Sequence, residues 1–299
     1  MRSVNRFTPF LFLALVAPFL VSCEKTVHFD LDEQPPKLVV DGSIENNKPP
    51  TVVLSRSLDY FSEITPDILE GSFVHDAVIT VSNGAKTHTL KEYAVPAPEA
   101  TLYYYGIDSA NLATAFLGEL DKTYSLTIAV EGKTYTAQTR IPALTKKVDS
   151  LGWKTSPNNP DTNKVVVLAH VTDPPGMGNY IRYFTSVNGQ PYFPGLNSVY
   201  DDQIIDGQSY EVEVEKGVNR NEEIDLETYS FFDRGDTVIV KFTNIDKGTY
   251  DFWRTMEYNY QSIGSPFSSP TKVLGNISNN ALGYFGGYAA QYQQIIIPK

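Results

Sequence analysis

The chain of 299 residues has one cysteine, Cys23, only four histidines, and fewer basic residues (24 Lys plus Arg) than acidic ones (35 Asp plus Glu). A lone cysteine excludes a disulfide framework and a multi-cysteine zinc site. A formal net charge of −11 argues against a nucleic-acid partner, which wants a basic face to neutralise phosphates. His28, His75, His88 and His170 are scattered, with no His-x-x-x-His or His-Glu-x-x-His pairing for a metal. The chain also lacks a Gly-x-Ser-x-Gly elbow and both glycine-rich phosphate-cradling motifs. What it has in quantity is aromatic side chains, 19 Tyr and 16 Phe, within a 41% hydrophobic composition. That suffices for a packed interior, and the length suggests about two domains at roughly 150 residues each.

The N-terminus carries a processing signal. Arg2 and Arg6 precede Phe7–Leu20, an almost wholly apolar run that falls short of the ~20 residues a transmembrane helix needs. It fits the h-region of a signal peptide. The run leads into Leu20, Val21, Ser22 and Cys23, which resemble a bacterial lipobox with Cys23 as the lipid attachment site. A thiol is required there because it is the nucleophile that takes the lipid. Multiple buried acyl chains, at about 0.8 kcal/mol per CH₂, would hold the protein on a membrane essentially permanently. Cleavage removes two arginines and no acid, so the remainder is still more acidic. Residues 23–36, with Asp30, Asp32 and Glu33, read as a solvated tether.

From Lys37 the pattern is short β-rich runs separated by turn residues. Strands are predicted at Lys37–Gly42, Thr51–Arg56, Ala77–Ser82, Thr87–Leu90, Ala100–Tyr105, Thr123–Val130 and Lys133–Thr139. Asn83-Gly84 predicts a type I′ hairpin turn, and Glu131-Gly132 joins a second hairpin in which Tyr124, Leu126, Ile128 and Val130 share one face. Such spacing is the signature of a β-sandwich. Ile141-Pro142 closes this unit, and Pro142–Lys147 is the expected boundary. The second half repeats the style at Val148–Trp153, Lys164–His170, Tyr180–Val187, Tyr210–Glu215 and Asp236–Phe242, with a closing strand at Gln293–Ile297. Residues 246–262 break the pattern: Tyr250, Trp253, Met256 and Tyr260 recur at near-helical spacing and predict one substantial helix with an aromatic face on the sheet.

Several pieces, in order, carry a family resemblance. They include Ser22-Cys23-Glu24-Lys25, Pro36-Lys-Leu-Val-Val-Asp-Gly42, Gly132-Lys-Thr-Tyr-Thr-Ala137, Asp173-Pro-Pro-Gly176, Gly235-Asp-Thr-Val238 and Leu282-Gly-Tyr-Phe-Gly286. Together they resemble the Bacteroidota lipoproteins of the domain of unknown function 4249. The resemblance spans essentially the whole mature chain and departs in the loops at 57–76 and 188–200. It implies an outer-membrane lipoprotein, facing the periplasm or the cell surface, often associated with a TonB-dependent transporter. It also implies a transthyretin-like first half. It brings no catalytic or binding residues with it.

Among candidate sites, Asp201, Asp202 and Asp206 are the best calcium ligands, because Ca²⁺ takes several hard oxygens close together. Their separation does not match an EF-hand loop, and a solvated turn at Asp206-Gly207 accounts for the same residues. Asp173-Pro174-Pro175-Gly176 reads as a turn. Tyr103, Tyr104, Tyr105, Tyr192 and Phe193 are candidate stacking residues, although alternation along a strand places Tyr103 and Tyr105 on one side and Tyr104 on the other.

The expectation is therefore a mainly β protein of two β-sandwich-like (immunoglobulin- or transthyretin-like) units, at 37–142 and 148–299, with one substantial helix in the second. A signal peptide at 1–22 and the tether at 23–36 precede them. The expected role is a non-catalytic binding or accessory module, bound to the outer membrane by its N-terminal lipid and serving a TonB-dependent nutrient-uptake system. A structural or adhesive envelope component is the alternative, and a hydrolase ranks below it.

Overall fold

Inward and outward residues alternate along the clearest strands, and each strand settles with its apolar set inside. The computed structural model describes residues 35–58, 62, 64–157, 159–263, 269 and 271–299. These residues form fifteen β-strands and two α-helices, a mainly β fold as the sequence predicts. The first half holds β1 (Leu38–Glu45), β2 (Thr51–Arg56), α1 (Pro66–Ser72), β3 (Val78–Ser82), β4 (Thr87–Pro96), β5 (Thr101–Ile107), β6 (Lys122–Val130) and β7 (Lys133–Ile141). The second half begins with β8 (Lys147–Thr155), β9 (Lys164–Thr172), β10 (Tyr180–Val187), β11 (Phe193–Tyr200) and β12 (Ser209–Val214). It continues with β13 (Phe232–Asp233), β14 (Thr237–Ile245), α2 (Lys247–Ser262) and β15 (Leu282–Ile296).

The β6–β7 hairpin shows the alternation at work. Tyr124, Leu126, Ile128 and Val130 all lie in the interior. Glu131 and Gly132 both take positive φ, 50° and 72°, as a two-residue I′ turn requires. At Asn83-Gly84 the expected I′ turn is replaced by a longer loop. Only Gly84 has positive φ, and Ser82 pairs with Thr87 across residues 83–86. The Asn83 side chain accepts the Ala85 and Lys86 N–H groups at 3.0 and 2.8 Å, which stabilises the wider loop locally.

The strands assemble into an eleven-stranded sheet, ordered β11-β10-β14-β15-β1-β2-β5-β4-β3-β6-β7, and a four-stranded sheet in which β9 pairs with β8, β12 and β13. The large sheet curls at β4, which pairs with β3 at its start and with β5 along the rest. One apolar cluster, around Leu54, Tyr124, Ile128 and Phe285, fills the fold of the first half. A second, around Val148, Val167, Val240 and Phe242, lies between the two sheets of the second half.

There are thus two apolar cores, but the halves that hold them are not separately closed. Pro36–Lys299 is one compact unit, because β15 belongs to both halves. Its first part pairs in parallel with β1, from Val39–Leu282 to Glu45–Tyr288. Its second part pairs antiparallel with β14, from Asn244–Ala289 to Thr237–Ile296. The predicted boundary is also pinned rather than free. The Asn244 side chain accepts the Lys146 N–H at 2.9 Å and donates to the Lys146 carbonyl at 2.8 Å.

Three strands exceed or escape the sequence reading: β15 is far longer than the predicted closing strand, β11 occupies a predicted loop, and the two-residue β13 is new. Helix α1 is likewise new, started by Thr65, whose hydroxyl accepts the Ile68 N–H, and by Pro66 in the first turn.

Small residues let β15 lie against β7. A Cβ built on Gly287 would sit 2.3 Å from the Arg140 carbonyl oxygen and 2.8 Å from the Ile141 nitrogen, both backbone atoms that cannot step aside. Overpacking of this kind costs about 1–3 kcal/mol. Gly287→Ala is expected to lower the urea unfolding midpoint accordingly, with both cores unfolding in one transition. Separate transitions for the two halves would contradict the shared-strand architecture.

Candidate functional site

Helix α2 begins at Asp246, whose side chain caps it by accepting the Thr249 N–H at 2.8 Å. Tyr250, Trp253 and Glu257, three and four residues apart, share the face turned to the sheet. Tyr250 and Glu257 are buried and Trp253 is half-buried, so the first part of the predicted stripe packs on the sheet, while Met256 is exposed.

Under this face lies a layer of buried charge. The Arg182 guanidinium, on β10, stands 3.4 Å from the Trp253 ring centroid and 4.7 Å from that of Phe184. A weakly hydrated planar cation suits such stacking. Arg182 Nε donates to Ser198 Oγ at 3.0 Å, and Ser198 gives both its hydroxyl and its N–H to Glu257, at 2.5 and 2.9 Å. Arg220 reaches the same carboxylate at 3.2 Å. Trp253 Nε1 donates to the Tyr288 hydroxyl at 2.8 Å. Farther along, Glu45 meets Lys241 at 2.5 Å and Lys48 at 2.8 Å. Burial works to raise the Glu45 pKa, but Lys241, Lys48 and the Tyr292 hydroxyl bring it below the ordinary glutamate value.

Beside this layer, α2, β1, β15 and residues 272–281 enclose a groove of about 830 Å³. Trp253, Met256 and Tyr284 form apolar walls, Lys37 and Lys272 bring ammonium groups, and Asn279 and Asn280 bring amides. Asp41 is the one carboxyl of the described lining. It is open to the groove and surrounded by protein on its other sides. That enclosure raises its pKa, with the Arg182 charge opposing. A few convergent polar groups on an apolar frame, including a perturbed carboxyl, are what small-molecule sites present.

The sequence candidates fall elsewhere. Leu20, Val21, Ser22 and Cys23 lie outside the described residues, as does His28. Of the three calcium candidates, Asp202 and Asp206 come together, and they do so with Asp173 from the Asp-Pro-Pro-Gly turn. One ligand atom from each lies within 4.8 Å of the others. Asp201 turns away and accepts the Tyr250 hydroxyl at 3.0 Å.

The carboxylates of this acidic cluster accept backbone N–H groups, and Asp173 Oδ1, which accepts none, faces an ammonium. Asp202 accepts the Gly178 and Asn179 N–H groups at 3.0 and 2.9 Å, and Asp206 accepts Gly176 at 2.7 Å. Asp173 accepts Gly207 at 3.2 Å and faces the buried Lys146 ammonium at 3.2 Å. Burial opposes ionisation of Asp202, yet these hydrogen bonds hold its pKa below the ordinary value. An ammonium already stands where a cation's charge is needed, so the cluster fits a loop staple better than a calcium cage.

The tyrosine candidates are mostly packing. Tyr105 is buried and donates to the Val74 carbonyl at 3.0 Å. Tyr104 stacks on Tyr93, and Tyr103 meets His75 edge-on at 4.6 Å. Tyr192 abuts Tyr292. The groove residues were missed, although one signal was available: Asp41 interrupts the apolar run Leu38-Val39-Val40 inside a strand.

Fold and groove define a mainly β protein with a groove beside its longer helix. The chain belongs to the family described as domain of unknown function (DUF4249), whose profile matches residues 24–294. No curated protein matches the sequence.

Asp41 gives a pH signature. Between its unfolded and its raised folded pKa the folded protein binds more protons than the unfolded chain, so this group's contribution to stability falls as pH rises through that window. Asp41→Asn should therefore be more stable than the parent at neutral pH and gain nothing below the ordinary carboxylate range. Urea midpoints measured across pH check this, and an equal gain at every pH would contradict it.

Proposed function

We propose that this chain is a lipid-anchored, non-catalytic binding module of the outer membrane or cell surface that serves a TonB-dependent nutrient-uptake system. The observation that carries the binding role is the groove beside α2, with Asp41 in its lining and mixed ammonium and amide groups around apolar walls. Its lone carboxyl favours binding over glycoside hydrolysis, which takes a pair.

The anchor rests on Leu20-Val21-Ser22-Cys23 following a short apolar run, with the only cysteine of the chain at the position that takes the lipid. The excess of acidic over basic residues supports a body that stands off anionic lipid on its tether. No helix among the described residues is long and apolar enough to cross a membrane. The transporter association draws on the family resemblance.

A gentle-detergent pull-down of the tagged native protein from its own membranes tests the reading, with Cys23→Ala as control. The expected result is a stoichiometric outer-membrane barrel with the native chain, lost with the variant. Recovery of the membrane-anchored protein alone would reject the transporter association and leave a free-standing binder or envelope component.

A further inference from the structure

The second half of the molecule holds another cavity, separate from the groove and of different chemistry. It lies between the inner faces of the two sheets, has a volume of about 360 Å³, and is walled by Val148, Val171, Ile181, Val240 and Phe242. Packed interiors leave few voids larger than a water. This one is several times that size, and unfilled it would deprive its apolar lining of dispersion contacts.

The edge strand β12 shows where the sandwich stands open. Tyr210, Val212 and Val214 share its inner face; Val214 is buried, but Val212 is 43% exposed. The connection from β11 to β12 crosses between the sheets at this place and carries Ile204 and Ile205 to the opening, with Ile204 95% exposed. Asp202 and Asp206, through Gly178, Asn179 and Gly176, staple this same crossover to the neighbouring turn. An isoleucine held in water on a pinned loop, beside an open apolar cavity, is matched to an apolar ligand entering there.

The polar groups set the ligand's orientation. Lys146, deep in the lining, is neutralised by Asp173. At the opening, Glu213 pairs with Lys154 at 2.7 Å, and Asp201 accepts the Tyr250 hydroxyl. Arg254 donates to that hydroxyl from the other side. It is exposed and has no carboxylate within ion-pair distance among the described residues. A guanidinium so placed presents a fork to a carboxylate at the mouth. One liquid water takes ~30 Å³ and a methylene group about as much, so the cavity accommodates roughly a dozen carbons.

We infer that this cavity binds an acyl-chain carboxylate of about a dozen carbons, its chain between the sheets and its head group at Arg254. The site is independent of the groove beside α2 and of the membrane anchor.

The test uses the native protein in phosphatidylcholine nanodiscs, titrated with dodecanoate carrying ¹³C at the carboxyl. One saturable protein-bound carboxylate resonance per chain, distinct from that of the bilayer, is expected. Ala169→Phe, which fills the cavity from β9, should abolish it. Ile204→Asp, at a side chain too exposed to affect folding, should weaken binding at least tenfold. Arg254→Gln should weaken dodecanoate at least tenfold while leaving competition by dodecanol unchanged. Absence of a saturable resonance, or binding undiminished in Ile204→Asp, would overturn the proposal. Equal losses of dodecanoate and dodecanol in Arg254→Gln would overturn the carboxylate assignment.

Discussion

Strand β15 is the constraint on which the other elements depend. It is the parallel neighbour of β1 and the antiparallel neighbour of β14, so one strand carries the hydrogen bonds of both halves. Phe285 and Ala289 on one of its faces enter the first core, while Ile295 farther along the same face packs on the second. Tyr288, on the opposite face, joins the cluster under α2. Glycine at 283 and 287 permits the approach: a Cβ at Gly283 would fall 1.9 Å from the Val40 carbonyl oxygen, and that residue also takes a φ of 96°.

The charge layer follows from that geometry. Covering the outer face of β10, β11 and β15 with a helix buries whatever those strands present there, and they present Arg182 and Tyr288 as well as apolar groups, with Lys241 farther along against Glu45. Buried charge is tolerated only when paired and hydrogen-bonded. Ser198, Glu257 and Trp253 satisfy Arg182, and Glu45 satisfies Lys241. This fixes the height and rotation of α2 and so one wall of the groove. The groove is thus a by-product of how the helix is seated, with Asp41 left as the ionisable group that its neighbours do not fully compensate.

Strands with one wet face were legible from alternation. Tyr124–Val130 and Lys133–Thr139 read clearly because buried residues alternate with ones that reach toward water, half-buried or exposed in the first strand and exposed polar in the second. Strand β15 was not, since both of its faces are covered from Tyr284 to Ala290 and the alternation signal vanishes there. Its Gly-Gly-Tyr-Ala-Ala stretch, selected for close approach, looks locally like a loop. Strand β11 was hidden for a related reason: Pro194 and Gly195 lie within it, and its pairing with β10 shifts register between Arg182 and Phe184. Helix α2 was visible from its stripe. The groove was not, because its residues come from β1, α2 and residues 272–284, distant in the chain. The acidic cluster was half legible, as its third member sits in a turn that explains itself without it.

The parallel register of β1 and β15 has a consequence for the order in which the fold is completed. Val39 pairs with Leu282, so almost the whole described chain must be available before the first strand acquires its second neighbour. Contacts of such wide separation require chain closure before they return any stabilisation, which slows folding. Until then the first core lacks Phe285, and β1 offers an open edge of unpaired N–H and C=O groups. A chain wired in this way stays unfinished, and therefore threadable, until its last strand arrives.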